Sequence, residues 1–300
     1  MSALPTLKQL QYFLALGKSL HFTRAAEFCH VSQSTLSAGL KELEDILGAQ
    51  LVERDRQSVS LTPIGKEVMA RAQGLVAQAE DLSDFVKTYS GAMTGLVRLG
   101  VIPTIAPFIL PKLLPALSKQ YPQLQIGLRE DLTANLLQKL HNHELDFALI
   151  ALPYDTHDLL VKEVLIDEFW LVAPKGDPVL SNKDIRLTAS LAERLLLLEE
   201  GHCLRDHSMQ ACKRSEMANW KGLEASSLLT LVQMVQAGMG VALIPELAIK
   251  GGLLNQTKLI ARPLAIPTPK RSIALVARQT TARIDAFTTI ASQIKDHFQR

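Results

Sequence analysis

The stretch Phe22–Val68, FTRAAEFCHVSQSTLSAGLKELEDILGAQLVERDRQSVSLTPIGKEV, decides how the chain folds. Its small alanines, Ala25 and Ala26, allow a neighbouring helix to approach closely. His30-Val31-Ser32 forms a short turn, Ser32 is an N-cap for the helix Gln33–Leu47, and Gly48 ends that helix. Two helices joined by a tight turn make a helix-turn-helix. The second begins Ser-Gln-Ser-Thr, so its first turn offers hydroxyls and an amide to base edges and phosphates. An ordinary three-helix domain with one polar face is the alternative that pattern alone leaves open. The segment Leu51–Gly65 favours the first reading. It forms two short strands around Asp55-Arg56-Gln57-Ser58, a wing that places Arg54 and Arg56 to reach a phosphate backbone.

Upstream, LKQLQYFLAL (7–16) carries Leu7, Leu10, Phe13 and Leu14 at helical spacing. Downstream, Pro63 opens a long helix. Its apolar positions are Val68, Ala72, Leu75, Ala79, Leu82, Val86 and Tyr89, in steps of four and three. That heptad seam predicts a self-associating helix of roughly 40 Å, although packing on its own domain satisfies the same spacing. Charge is a caution: residues 1–71 hold eight Lys/Arg against seven Asp/Glu, so any DNA contact depends on local placement.

Beyond Ser90-Gly91 the pattern alternates strands and helices. LVRLGVI (96–102), LQIGLRE (124–130) and LDFALIAL (145–152) are apolar runs of strand length. FWLVAP (169–174), RLLLLEE (194–200) and GVALIPELAI (240–249) form a second unit, and RSIALVAR (271–278) returns to the first. Thr104 and Thr133 each follow a strand and precede a helix, where a threonine either caps the helix or orients a small polar ligand. Ser226-Ser227 marks a further helix start, facing the cleft expected between the two units.

The 300 residues, 47% hydrophobic with net charge +2, allow more than one cored domain. The N-terminus shows no signal peptide, and no apolar run approaches the roughly 18 residues of a membrane span. The expected location is therefore the cytoplasm. Three cysteines there argue against a disulfide framework. Two of them lie in GHCLRDHSMQAC (201–212). Zinc is disfavoured because this spacing is no usual finger. Incidental packing stays open, yet His202, Arg205 and Asp206 make a polar setting for Cys203. If the segment is helical, Cys203 and Cys212 stand about 13 Å apart along its axis. A disulfide, which needs Cα atoms within roughly 7 Å, then requires rearrangement. That is the makeup of a redox switch. Cys29 is expected to serve packing.

The stretch quoted first resembles the DNA-binding segment of LysR-type transcriptional regulators, and the resemblance covers essentially the whole chain. It implies an α+β multidomain protein. Residues 1–62 would be a winged helix-turn-helix and 63–90 a dimerising linker helix. Residues 91–300 would be a two-lobed α/β regulatory domain like periplasmic binding proteins, with lobe I at about 91–165 and 269–300 and lobe II at about 166–268. The expected DNA contacts are Thr23, Arg24, Ser32, Gln33, Ser34, Thr35, Ser37, Lys41, Arg54 and Arg56. Ser34 replaces the family's usual proline, which implies altered contact detail.

LLLLEEGHCLRDHSMQAC (195–212) resembles the sensing loop of the family's hydrogen peroxide-responsive branch. The resemblance implies a peroxidatic Cys203 and a resolving Cys212. Thr104, Thr133 and His202 would position peroxide, Arg205 would stabilise the thiolate, and Asp206 would hold Arg205 or a histidine. It implies no metal and no cofactor. The expected partners are promoter DNA, RNA polymerase, a second copy and then a homotetramer, and thiol reductants such as glutaredoxin. Two rivals remain: a family member whose cleft binds a metabolite, and a thiol peroxidase, against which the DNA-binding head argues.

Overall fold

A computed structural model describes residues 4–54, 59–88, 93–212, 222–266 and 268–298. The chain divides into two compact units with the main boundary at residues 90/91.

In the first unit, helix α1 (Leu7–Ser19) starts with a capping box, in which the Thr6 hydroxyl accepts from the Gln9 N–H and the Gln9 side chain accepts from the Thr6 N–H. Helix α2 (Phe22–Phe28) buries Ala25 and Ala26, as their size suggested. Helix α3 (Gln33–Leu47) begins at Ser32, whose hydroxyl accepts from the Thr35 N–H at 3.1 Å, and ends at Gly48 in the left-handed conformation. Strands β1 (Val52–Arg54) and β2 (Val59–Leu61) pair antiparallel, and α4 runs Pro63–Thr88. Phe13, Leu16, Leu36, Leu40, Leu43 and Leu51 are fully buried in the core between these elements.

The apolar row of α4 is divided between two environments. Ala72 and Val76 are buried in the core of their own unit, and Val68 packs against it. Leu75 and Leu82 are 52% and 67% exposed. Val68 and Ala72 of the seam are thus spent on the head, whereas Leu75 and Leu82 face outward. The Val86 side chain and Tyr89 lie outside the described residues.

The second unit is built on one sheet ordered β10-β6-β11-β5-β3-β4, with β9 also pairing β6. β3 (Gly95–Val101), β4 (Leu124–Glu130) and β5 (Phe147–Leu152) are parallel. Helices α5 (Ala106–Gln120) and α6 (Thr133–His141) connect them. β6 (Leu159–Pro174) is one 16-residue strand. Its first part pairs with β11 (Lys270–Arg278), and its last six residues pair with β9 (Ala242–Pro245) and β10 (Leu259–Pro263). The sequence pattern marks Phe169–Pro174 as a separate strand, whereas it is the end of β6. The charged residues before it, with Glu163 and Glu168 exposed, hid the continuation. Likewise Arg194–Glu200 keeps only the short β7 (Leu197–Leu198), and Gly240–Ile249 divides into β9 and the helix Glu246–Lys250.

Because β6 runs through both halves, it links two separate cores. One gathers Leu99, Ile109, Phe147, Ile150, Leu275 and Ile290, the other Phe169, Leu171, Leu196, Leu231, Val232 and Ile244. Helix α8 (Cys203–Ala211) lies at their junction. Cys203 belongs to the first core, whereas Leu204 and Cys212 belong to the second.

Candidate functional site

Two groups of candidate residues sit on these units, and each is described within its own. On the first, Thr23, Arg24, Ser32, Gln33, Ser34, Thr35 and Lys41 are exposed and Ser37 is half-buried. They cluster at the start of α3 and the facing turn of α2. The Thr23 hydroxyl donates to Gln33 Oε1 at 3.2 Å, and the Ser32 hydroxyl lies 2.8 Å from both Ser34 Oγ and Thr35 Oγ1. Ser34, Ser37 and Lys41 line one open concavity with Glu44 and Gln50. The turn therefore presents a connected set of donors on a helix N-terminus, where partial positive charge favours phosphate. The Arg54 side chain and Arg56 lie outside the described residues.

On the second unit the site centres on Cys203, the first residue of α8. Gly201, at φ +91°, turns the chain from β7 into the helix, and a Cβ there would come within 2.9 Å of Leu132 Cδ1. Cys203 is 8% exposed. Burial pushes its thiol above the ordinary range. The Arg271 charge, hydrogen bonds from Thr104 and Arg271, and then the opposing field of Asp206 modulate that shift. Burial therefore favours the thiol form, and Arg271 is the cation that opposes it.

Arg271 is the side chain that sequence reading missed. It sits at the start of β11 with a fully buried guanidinium. Nε and Nη2 reach Asp167 Oδ2 at 3.0 and 2.9 Å. Nη1 donates to the Thr104 hydroxyl at 2.9 Å, and Nη2 donates to the Thr104 carbonyl at 3.2 Å. The other oxygen of Asp167 accepts from the Leu247 N–H at 2.9 Å. A buried ion pair with every oxygen and most N–H groups engaged fixes the cation beside the sulfur.

Arg205 does not play that part. Its Nη1 donates to Glu224 Oε1 at 2.6 Å and to the Leu198 carbonyl at 3.0 Å, tying α8 to β7 and β8 (Glu224–Ala225). Its carboxylate partner is Glu224 rather than Asp206, which is exposed on the next position of the helix. Position explains this: two residues along a helix turn the side chain by about 200°, so Arg205 points to the face opposite Cys203. Arg271 is far off in the chain but adjacent through the sheet.

Neither cleft threonine caps a helix. Thr104 precedes the N-cap Ile105, and its hydroxyl is held by Arg271. Thr133 is the first residue of α6, 2% exposed, with a buried hydroxyl that has no hydrogen-bond partner. His202 is the N-cap residue of α8 and is buried. Burial holds its imidazole below the usual range, against the raising influence of Glu199 and the Ser226 backbone. It is neutral at pH 7. Cys212 closes the far end of α8, is 1% exposed, and its N–H donates to the Ser208 carbonyl at 3.3 Å. Nine residues of helix put the two cysteines about 13 Å apart, so this structure holds them unbonded. Among the described residues no cluster of three His, Cys, Asp or Glu side chains is arranged to hold a metal. No helix among them is long and apolar enough to cross a membrane.

Residues 7–66 match the model of the bacterial regulatory helix-turn-helix protein, lysR family, and residues 90–299 match that of the LysR substrate binding domain. The chain is 44% identical over 296 residues to the HTH-type transcriptional regulator EstR of Acinetobacter baylyi, covering 98% of each chain. It is 38% identical to a probable hydrogen peroxide-inducible genes activator of Mycobacterium avium, over 97% of this chain and 93% of that one. The solved structure of a full-length OxyR variant from Pseudomonas aeruginosa superposes with a TM-score of 0.78 at 35% identity, covering 98% of this chain and 95% of that one.

Proposed function

The chain belongs to the LysR family of bacterial helix-turn-helix transcription regulators, and on that premise we propose that it senses hydrogen peroxide through Cys203. The observation that carries this reading is the placement of one helix. α8 puts one buried cysteine beside a buried Arg271 and Thr104, and a second at its other end in a different core.

In the proposed cycle, peroxide enters between Thr104, the unpartnered hydroxyl of Thr133 and neutral His202. Arg271 stabilises negative charge as it forms on sulfur, and Arg205 holds α8 in place through Glu224. Cys203 becomes a sulfenic acid, and condensation with Cys212 releases water and forms the disulfide. Because the thiols stand a helix apart, that bond requires α8 to unwind from both cores.

The reading extends to the rest of the chain. Residues 1–62 dock DNA through Thr23, Arg24, Ser32, Gln33, Ser34, Thr35, Ser37, Lys41, Arg54 and Arg56. Residues 63–90 dimerise through Leu75 and Leu82, and 91–300 respond to oxidation. A homotetramer then recruits RNA polymerase as an activator in the cytoplasm, and glutaredoxin-type reductants reset it.

The 44% identity to a regulator whose name specifies no peroxide favours a second reading, a small metabolite held between the lobes. Operator footprinting with and without hydrogen peroxide, on the wild type and Cys203→Ser, tests between them. A footprint that changes with peroxide in the wild type and not in the variant supports the sensor. A peroxide-independent footprint in both supports the metabolite reading.

A further inference from the structure

His207 has no part in the cycle above, yet it lies one helical turn after Cys203, where side chains four apart share a face with Cβ atoms about 5–6 Å apart. The ring is 6% exposed. Its Nε2 lies 3.0 Å from the Leu152 carbonyl, which can only accept, so Nε2 carries a proton. Its Nδ1 faces the Cys203 carbonyl, is buried, and has no hydrogen-bond partner. Both ring nitrogens thus face carbonyl oxygens, and a neutral imidazole has one proton for the two. Imidazolium, with two N–H groups, would satisfy both.

Burial opposes that charge, and so does Arg271 on β11. The guanidinium and the imidazole share Phe169 of β6, with Arg271 Cζ and the His207 ring centroid each 5.8 Å from the Phe169 ring centroid. Asp206 on α8 acts the other way. The Arg271 field that disfavours imidazolium favours thiolate at Cys203. A thiolate would offset that field at His207, and imidazolium would in turn favour the thiolate.

We propose that His207 is the ionisation partner of Cys203: thiol and neutral imidazole convert together to thiolate and imidazolium. His207 is then a positioning residue for the proton, a role that rests on Cys203 being the peroxide-reactive residue. The Cys203 S–H bond breaks and the proton is taken up at Nδ1, the ring nitrogen that lacks one. The thiolate pair attacks one peroxide oxygen, forming S–O as O–O breaks. The departing hydroxide takes the proton back from imidazolium, leaving water and a sulfenic acid. Sulfur is oxidised and peroxide reduced, with no other reagent.

The test uses the full-length chain with Cys29→Ser and Cys212→Ser, so that Cys203 is the one thiol. The rate of Cys203 alkylation by iodoacetamide is followed from pH 5 to 10 with His207 and with His207→Gln, whose amide can donate to Leu152 but takes up no proton. The expected result is an upward shift of the midpoint by about one to three pH units and at least a tenfold slower reaction at pH 7. Superimposable profiles overturn the proposal. A second arm leaves His207 in place and follows its ring by NMR of ¹³C-labelled histidine. The ring should hold its proton to higher pH where Cys203 can ionise beside it, and this difference should vanish in Cys203→Ser; identical titrations in both overturn the pairing. Neither arm uses peroxide, and sulfenic acid trapping in parallel decides the peroxide reading separately.

Discussion

At the scale of single residues, charge compensation inside the second unit governs the account. Arg271 and Asp167 are almost fully buried and satisfy each other, so removing one leaves the other uncompensated. Arg271→Met should cost about 3–5 kcal/mol in urea denaturation, and Arg271→Met with Asp167→Asn should cost less than the single change. Equal losses would show that the pair is not what stabilises this region. A second prediction concerns acid. Burial lowers the pKa of both His202 and His207 in the folded state, so the unfolded chain binds protons first as pH falls. Their contribution to stability is full above about pH 6.5 and is lost below it, as pH falls through the lowered folded values. The melting temperature should therefore decline between pH 7 and 5, and His207→Gln should flatten that decline; parallel curves would contradict it. The placement of Cys203 and Cys212 at the two ends of one segment, and of Thr104 and Thr133 between a strand and a helix, was legible in the sequence because local motifs carry it. Arg271 was not, since it starts an apolar strand and meets Thr104 and Asp167 only through sheet pairing 167 and 104 residues distant.

At the scale of elements, α8 and α4 carry the dynamic claims. Gly201 enters α8 at a positive φ against Leu132. Gly201→Ala should destabilise the unit by about 1–3 kcal/mol in chemical denaturation; a neutral substitution would mean the turn is not strained by a side chain. On α4 the two faces should behave oppositely. Leu75→Glu with Leu82→Glu should convert a dimer to monomer in analytical ultracentrifugation without lowering head stability, because both side chains are exposed. Ala72→Glu should unfold the head itself, since Ala72 is 1% exposed. If the double variant stays dimeric, the outward row is not the seam. The periodicity revealed a helix with an apolar row but not its partner, because a heptad step fits an intramolecular core as well as a coiled coil. Helix ends were the most readable features: Ser32 and Gly48 act through local backbone bonds that need no distant residue. The long β6 was the least readable, because its first half is covered on one side only.

At the scale of the whole molecule, the family assignment rests on matches spanning 7–66 and 90–299, and the claim specific to this chain is narrower. A helix whose ends are anchored in two cores can store a bistable choice: intact with thiols apart, or unwound with sulfurs joined. Unwinding gives up the burial of Leu204 and Cys212 in the second core, so oxidation should loosen one half of the regulatory unit more than the other. The direct measurement is mass spectrometry of alkylated peptides from reduced full-length protein exposed to a slight excess of hydrogen peroxide. The account predicts a cross-linked peptide joining Cys203 to Cys212, formed within seconds and reversed by a thiol reductant. Both residues remaining fully alkylatable would contradict it.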